Sequence, residues 1–331
     1  MRLVQITDLH LWTHPNDPRT LRYLEDADLH PNATDNLGSL RAVLDAISAH
    51  HCGGRSFDAL VVTGDIAQDE QRSTYQLLRD ELQARGWLGR ALLLPGNHEQ
   101  AGFFRDVFPE SSGSERPEGV PQGGFSAECN GWRLVGVDTH DTDDAKVGWG
   151  GEMDDLLARG WDGGSDRIGE PQLQWLQGEL AEHAAQPTVV FIHHPIMPVG
   201  FPWVDSILIE QPGLKGLHRI LARSPQVRAV HCGHIHQSLS EQGGLLQLED
   251  HDDGNDIHRA VRVFSAPSTA YQQLPRTEEA TVAVRGPEAM PGWRLLEGEN
   301  GDGDAWHATL STAVHRVAWP PSYDYATGAR L

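Results

Sequence analysis

Residues 59–65, Ala59-Leu60-Val61-Val62-Thr63-Gly64-Asp65, decide how this chain is read. A run of apolar and β-branched residues ends abruptly in a glycine and a carboxylate. Such a run is short for a helix and valine-rich, as buried strands are, although periodicity alone does not separate it from buried helix. The same grammar recurs along the chain. Leu3-Val4-Gln5-Ile6 leads into Thr7-Asp8-Leu9-His10, and Ala91-Leu92-Leu93-Leu94-Pro95 into Gly96-Asn97-His98-Glu99. Thr188 to Ile192 leads into His193-His194-Pro195, and Val227 to Cys232 into Gly233-His234-Ile235-His236.

Helical patterns lie between these runs. Leu37, Leu40, Val43, Leu44 and Ile47 share one helical face, with Asp35 or Asn36 placed to cap it. Leu173, Leu176 and Leu180 recur at helical spacing behind Pro171, and Leu214, Leu217, Ile220 and Leu221 do so before Ser224-Pro225. Strands alternating with helices predict βαβ units, an α/β fold and largely parallel strands. In open α/β sheets the ligand site lies beyond the carboxyl ends of the strands, which is where every polar burst falls. From about residue 239 onward, apolar–polar alternation broken by Gly and Pro predicts antiparallel strands. Residues 110–124 and 139–168 read as surface loops. The acidic stretches Glu249–Asp256 and Gly298–Asp304 lack EF-hand spacing and read as solvated loops. The length suits a catalytic domain over residues 1–270, with a β-rich C-terminal extension over 271–331 packed on it.

Composition narrows the partners. The chain of 331 residues carries 47 Asp+Glu against 26 Lys+Arg, a net charge of −21, which disfavours nucleic acid polymers and anionic membranes. No apolar run approaches the ~18 residues of a membrane span. Cys52, Cys129 and Cys232 form no CxxC pair, so neither a disulfide framework nor a thiolate zinc site is expected. With no leader pattern after Met1, a cytoplasmic protein is expected.

The residues at the strand ends are Asp8, His10, Asp65, Asn97, His98, His193, His194, His234 and His236. Taken singly, each has an ordinary explanation as a helix cap, a turn residue or a core histidine. Taken together they converge on one sheet edge. Imidazole with carboxylate and amide oxygen, and no thiolate, suits borderline-to-hard ions such as Fe, Mn, Zn or Co. Asp-x-His at a strand end sends both side chains to one face, because strands have a period of two, so Asp8 and His10 can share one ion, as can His234 and His236. Asp65 has two carboxylate oxygens and can bridge two ions. Two ions about 3.5–4 Å apart form a clamp for in-line displacement at phosphorus.

Asp8-x-His10, Gly64-Asp65, Gly96-Asn97-His98-Glu99, His193 and Gly233-His-x-His236 resemble the blocks of calcineurin-like metallophosphoesterases, across residues 8–236. Leu3 to Leu11, Thr63 to Asp69, Leu94 to His98, Pro171 to Leu176 and Cys232 to Gln237 resemble bacterial class III 3′,5′-cyclic AMP phosphodiesterases more narrowly. Ala266-Pro-Ser-Thr269, Pro291-Gly-Trp-Arg294 and Val314-His-Arg316 extend that likeness. The resemblance implies an αββα sandwich of two mixed sheets flanked by helices. It implies that Asp8, His10, Asp65 and His236 hold one ion, and Asp65, Asn97, His193 and His234 the other. Iron or manganese is the first expectation for both, zinc or cobalt the alternative. His98 stays off the metals as the catalytic acid, facing the phosphate or leaving group. The family pattern puts the ligand first in His193-His194, which leaves His194 behind the ligands, in the core or near substrate.

The reaction so implied is hydrolysis of 3′,5′-cyclic AMP, with cyclic GMP as a further substrate, by a hydroxide bridging the ions. The alternatives are a broader phosphodiesterase acting on glycerophosphodiesters or 2′,3′-cyclic nucleotides, a phosphomonoesterase, and a non-catalytic scaffold. Asn97, His98, His194, Trp203 and Asp205 are the substrate-binding candidates. Trp203 reads equally as a purine platform or a packing residue, as do Trp12 and Asn32. The segment 12–35, the loop 110–124 and the acidic stretch 249–258 are longer than the family pattern. The partner is a small phosphodiester, and a homodimer stays open. A net charge of −21 describes the outer surface. Two divalent ions against Asp8 and Asp65 reverse the sign locally.

Overall fold

The computed structural model describes residues 1–21, 35–51, 56–109, 123–139, 168–199, 213–239, 243–251, 256–270, 290–300 and 308–317, with two short strands at 323–324 and 329–330. Trp203, Asp205 and Asn32 lie outside the described residues, as do most of the loops expected at 110–124 and 139–168.

Two sheets face one another. In the first, β1 (Arg2–Ile6), β2 (Ala59–Thr63) and β3 (Ala91–Leu94) run parallel. Strand β10 (Gly292–Glu299) lies antiparallel beside β1, and β11 (Thr309–Arg316) beside β10, in the order β11-β10-β1-β2-β3. The second sheet contains β4 (Phe125–Cys129), β5 (Trp132–Gly136), β6 (Thr188–Phe191), β7 (Val227–Cys232), β8 (Gly244–Asp250) and β9 (Ile257–Ser265). Its order is β4-β5-β6-β7-β9-β8, parallel from β5 through β9 and antiparallel at both outer pairs. Both sheets are thus mixed. The region after residue 239 forms the antiparallel pairs expected, but β9 also runs parallel to β7, because it inserts between β7 and the edge strand β8.

Alternation along the strands builds the layers. Leu3, Val61, Leu92 and Leu94 point inward to meet Phe125, Trp132, Leu134, Val189 and Phe191 of the other sheet. Val4, Ile6, Leu60, Val62 and Leu93 point outward, beneath α1 (Asn36–His51), α2 (Arg72–Ala84) and α3 (Ala101–Val107). The second sheet packs Val190, Val230 and Val263 against α4 (Glu170–Glu182) and α5 (Gly213–Ala222). Each such buried aliphatic side chain contributes roughly 1.5–3 kcal/mol of transfer free energy. Asp35 caps α1 as expected, its Oδ1 accepting the Gly38 amide at 2.8 Å. Among the described residues no helix is long and apolar enough to cross a membrane. The carboxyl ends of β1, β2, β3, β6 and β7 carry the residues that meet at one edge of the sandwich.

Candidate metal centre

The turns that follow the strands place the polar side chains. Asp8, His10, Asp65, His234 and His236 all adopt left-handed backbone conformations, with φ of 52°, 44°, 53°, 66° and 55°. Such angles are uncommon for residues other than glycine and persist only where the surroundings enforce them. The expectation that Asp-x-His pairs share a face through strand alternation is therefore corrected. The strands stop at Ile6 and Cys232, and left-handed turns aim both side chains of each pair inward. Gly64 has φ +92°, and a Cβ there would collide with His193 Nδ1 and the backbone of Gly96. Glycine is needed because β2, β3 and β6 approach one another at this point.

Asp8, His10, Asp65 and His236 form one buried group of donor atoms, and His193, His194 and His234 form another. Asp65 stands between them. Its Oδ2 lies 3.6 Å from His10 Nε2 and its Oδ1 3.3 Å from His193 Nε2. Asn97 Oδ1 lies 3.1 Å from His193 Nε2 and 3.0 Å from His234 Nδ1, completing the second group with an amide oxygen. His98 is placed differently. Its amide donates to Asp65 Oδ1 at 3.1 Å, while its part-buried ring stands edge-on to His10 at 4.9 Å. His194 is fully buried, with Nδ1 2.7 Å from Thr139 Oγ1.

The donor atoms fit cations. His193 Nδ1 donates to the Thr63 carbonyl at 2.6 Å, so its Nε2 holds either a proton or a cation between the ring and the oxygens of Asp65 and Asn97. His10 Nδ1 is held by Gln68 Oε1 at 2.8 Å, so its Nε2 lone pair confronts His236 Nε2 at 2.9 Å. Donor atoms this close share a proton or a cation between them. Asp8 Oδ2 is buried without a hydrogen-bond partner among the described residues. Such groups could hold metal ions, with His10 and His193 offering Nε2 while Nδ1 is already engaged.

The electrostatics show the same crowding. Burial raises the Asp8 carboxyl to about 8, with Asp65 adding to it against the pull of His193. Burial lowers His10 to about 4, despite the attraction of Asp65. Burial works against ionised Asp65 too, but His193, His98 and His10 hold it well below the usual carboxylate range. Burial would likewise depress His193, yet Asp65 and Asp8 lift it to about 10.

Several residues that shape the centre were not anticipated. Glu99 is buried beneath the ligand turns, and its carboxylate accepts the amides of Ile66 at 2.5 Å, Asp65 at 3.1 Å, Ala67 at 3.4 Å, and Gly96. Burial and the neighbouring Asp65 raise it to about 7 against those donors. Asn36 Nδ2 donates to the His10 carbonyl at 2.7 Å, tying α1 to the first ligand turn. Ser268 Oγ donates to the Asp8 carbonyl at 2.7 Å. Asp69 Oδ2 accepts the amides of Thr13 and His14 at 2.8 and 3.0 Å, which anchors the start of the long segment after His10. Glu99 follows directly on Gly-Asn-His, and that adjacency was the available signal. The others act across distances that spacing does not reveal.

This fold and this cluster define a class. The sequence profile described as calcineurin-like phosphoesterase matches residues 1–238, and the chain belongs to that family. The relative from Escherichia coli strain K12 named 3′,5′-cyclic adenosine monophosphate phosphodiesterase CpdA is 29% identical over 318 residues, 96% of this chain and 90% of its own. Its Vibrio vulnificus namesake is 28% identical over 96% of this chain and 90% of its own. Glycerophosphodiester phosphodiesterase GpdQ from Enterobacter lignolyticus is 28% identical over 68% of this chain and 66% of its own.

Proposed function

We propose that this chain hydrolyses small phosphodiesters, with 3′,5′-cyclic AMP as the preferred substrate and cyclic GMP a secondary one. The carrying observation is Asp65, whose two oxygens each face a separate cluster of imidazoles. In this reading Asp8, His10, Asp65 and His236 hold one ion, and Asp65, Asn97, His193 and His234 the other; iron or manganese suits both. Bound there, two cations supply Lewis acidity, activate water and neutralise charge at phosphorus. His98 stands at the rim, its amide fixed on Asp65 and its ring turned across His10, where a protonated imidazole donates to a phosphate oxygen or to the departing O3′. Asn97, whose Oδ1 faces His193 and His234, is read as a substrate contact as well. Trp203 and Asp205, outside the described residues, and His194 are the further candidates for substrate contacts in this reading.

We further infer a catalytic domain over 1–270 with 271–331 packed on it, supported by the pairing of β10 with β1. A cytoplasmic location is inferred from the free Cys129 and Cys232. The similarity to GpdQ favours a second reading, a glycerophosphodiesterase. The test is a panel on manganese-reconstituted protein: cyclic AMP, cyclic GMP, 2′,3′-cyclic AMP, bis-p-nitrophenyl phosphate and a glycerophosphodiester. Cyclic AMP should show the highest kcat/KM among the natural esters. A higher value for the glycerophosphodiester would replace the first reading with the second.

A further inference from the structure

Arg294 lies on β10, beyond the residues that the family profile matches, and is fully buried between the sheets. Its neighbours Trp293 and Leu295 point outward into the helix-covered core, while Arg294 and Leu296 point inward. A buried guanidinium is costly and is retained where its donors are satisfied. Nε donates to the Ser265 carbonyl at 3.0 Å, Nη1 to Thr312 Oγ1, and Nη2 to Ser238 Oγ at 2.6 Å. Its charge also lies 5.2 Å from the centre of the Phe264 ring.

Two of those partners belong to the anchor of a ligand turn. The segment from Gly233 to Leu239 carries His234 and His236, both left-handed. At its start the His234 amide donates to Asp8 Oδ1 at 3.0 Å, and the Gly233 amide to the His193 carbonyl at 2.9 Å. At its end Ser265 Oγ donates to the Gln237 carbonyl and accepts the Leu239 amide at 2.8 Å. Arg294 grips both sides of that end, the Ser265 backbone and the Ser238 hydroxyl. A turn with two left-handed residues needs restraint at both ends, and Arg294 supplies the second restraint from a strand distant in sequence.

We propose that Arg294 is a positioning residue for the metal centre, acting through Ser238 and Ser265 to hold the turn that presents His234 and His236. This rests on the reading of those histidines as ligands. The measurement is Mn²⁺ binding to the full-length apo protein by calorimetry, with the kcat and KM of the loaded enzyme alongside. Arg294→Met should weaken Mn²⁺ binding about 10- to 100-fold, the range for loss of a group that orients a ligand. KM for bis-p-nitrophenyl phosphate at saturating Mn²⁺ should stay within about twofold. Ser238→Ala removes the hydroxyl that Arg294 holds on the turn and leaves Arg294 in place between the sheets. It should weaken binding several-fold, Ser238→Thr should restore it, and the Arg294→Met/Ser238→Ala double variant should be no weaker than Arg294→Met.

Unchanged Mn²⁺ affinity in Ser238→Ala, or losses that simply add in the double variant, would overturn the proposal while leaving the metal-centre reading standing. If Arg294→Met fails to fold, Ser238→Ala and Ser238→Thr decide alone. Wild-type protein that binds no Mn²⁺ would overturn the metal-centre reading and this proposal with it.

Discussion

Replacing Glu99 by glutamine changes one atom and tests how the two ligand turns are held. One carboxylate oxygen accepts Ile66 and Ala67, and the other accepts Asp65 and Gly96. Glutamine keeps one accepting oxygen and turns an N–H₂ group toward the other pair of amides. Two charge-assisted hydrogen bonds, worth about 1.5–3 kcal/mol each, become donor-to-donor contacts. The longer Ala67 contact, at 3.4 Å, adds little. Relaxation of the turns and removal of a buried charge repelled by Asp65 offset part of this, so Glu99→Gln should lose roughly 1.5–3 kcal/mol of unfolding stability. The assay is urea unfolding of metal-free protein at pH 8, above the value of about 7 to which burial and Asp65 raise the carboxyl. A loss under about 1 kcal/mol, with unchanged denaturant slope, would refute the view that Glu99 holds these turns.

Asn97→Ala should abolish turnover and lower bound manganese by one equivalent, read by elemental analysis, since its Oδ1 faces both His193 and His234. His98→Ala should retain full metal content while kcat falls by about 10²- to 10⁴-fold, because its ring stands outside both donor groups. Acid stability offers a separate check away from the ligands. His231 is buried, stacked on Phe264, and held well below 6.5 by burial and by the charge of Arg294. The unfolded chain therefore binds the extra proton below pH 6.5, and folded stability falls as pH drops, by up to about 1.4 kcal/mol per pH unit. His231→Gln still donates to Gln5 but does not titrate, so its stability between pH 6.5 and 5 should decline less steeply than wild type. Equal slopes would mean that His231 is charged when folded.

The strands that bear the centre were legible because each ends in a change of chemistry, from buried aliphatics to Asp, Asn or His. Helix α2 was not read, although Tyr75, Leu78 and Leu82 have helical spacing, because its first turn lacks a recognisable cap: Gln71 makes no side-chain capping bond. The β4–β5 hairpin was also missed, although Asn130-Gly131, with φ of 49° and 79°, is a strong hairpin turn signal. The ligand residues were legible as types but their geometry was not, since left-handed backbone at Asp8 or His236 follows from neighbours far along the chain. Arg294 stood within a recognised motif, yet its partners at 238 and 265 are apparent only once the two sheets close on each other.

The position of β10 bears on how the protein is born. Strand β1, Arg2–Ile6, takes one of its two sheet neighbours from Gly292–Glu299, almost three hundred residues further along the chain. Until that partner emerges, β1 presents an open row of backbone donors and acceptors, the kind of edge that recruits other chains. Pairing over such a sequence separation is slow to form. Strand β1 must therefore wait for β10, and synthesis stalled between the two should yield aggregated fragments rather than a partly active hydrolase.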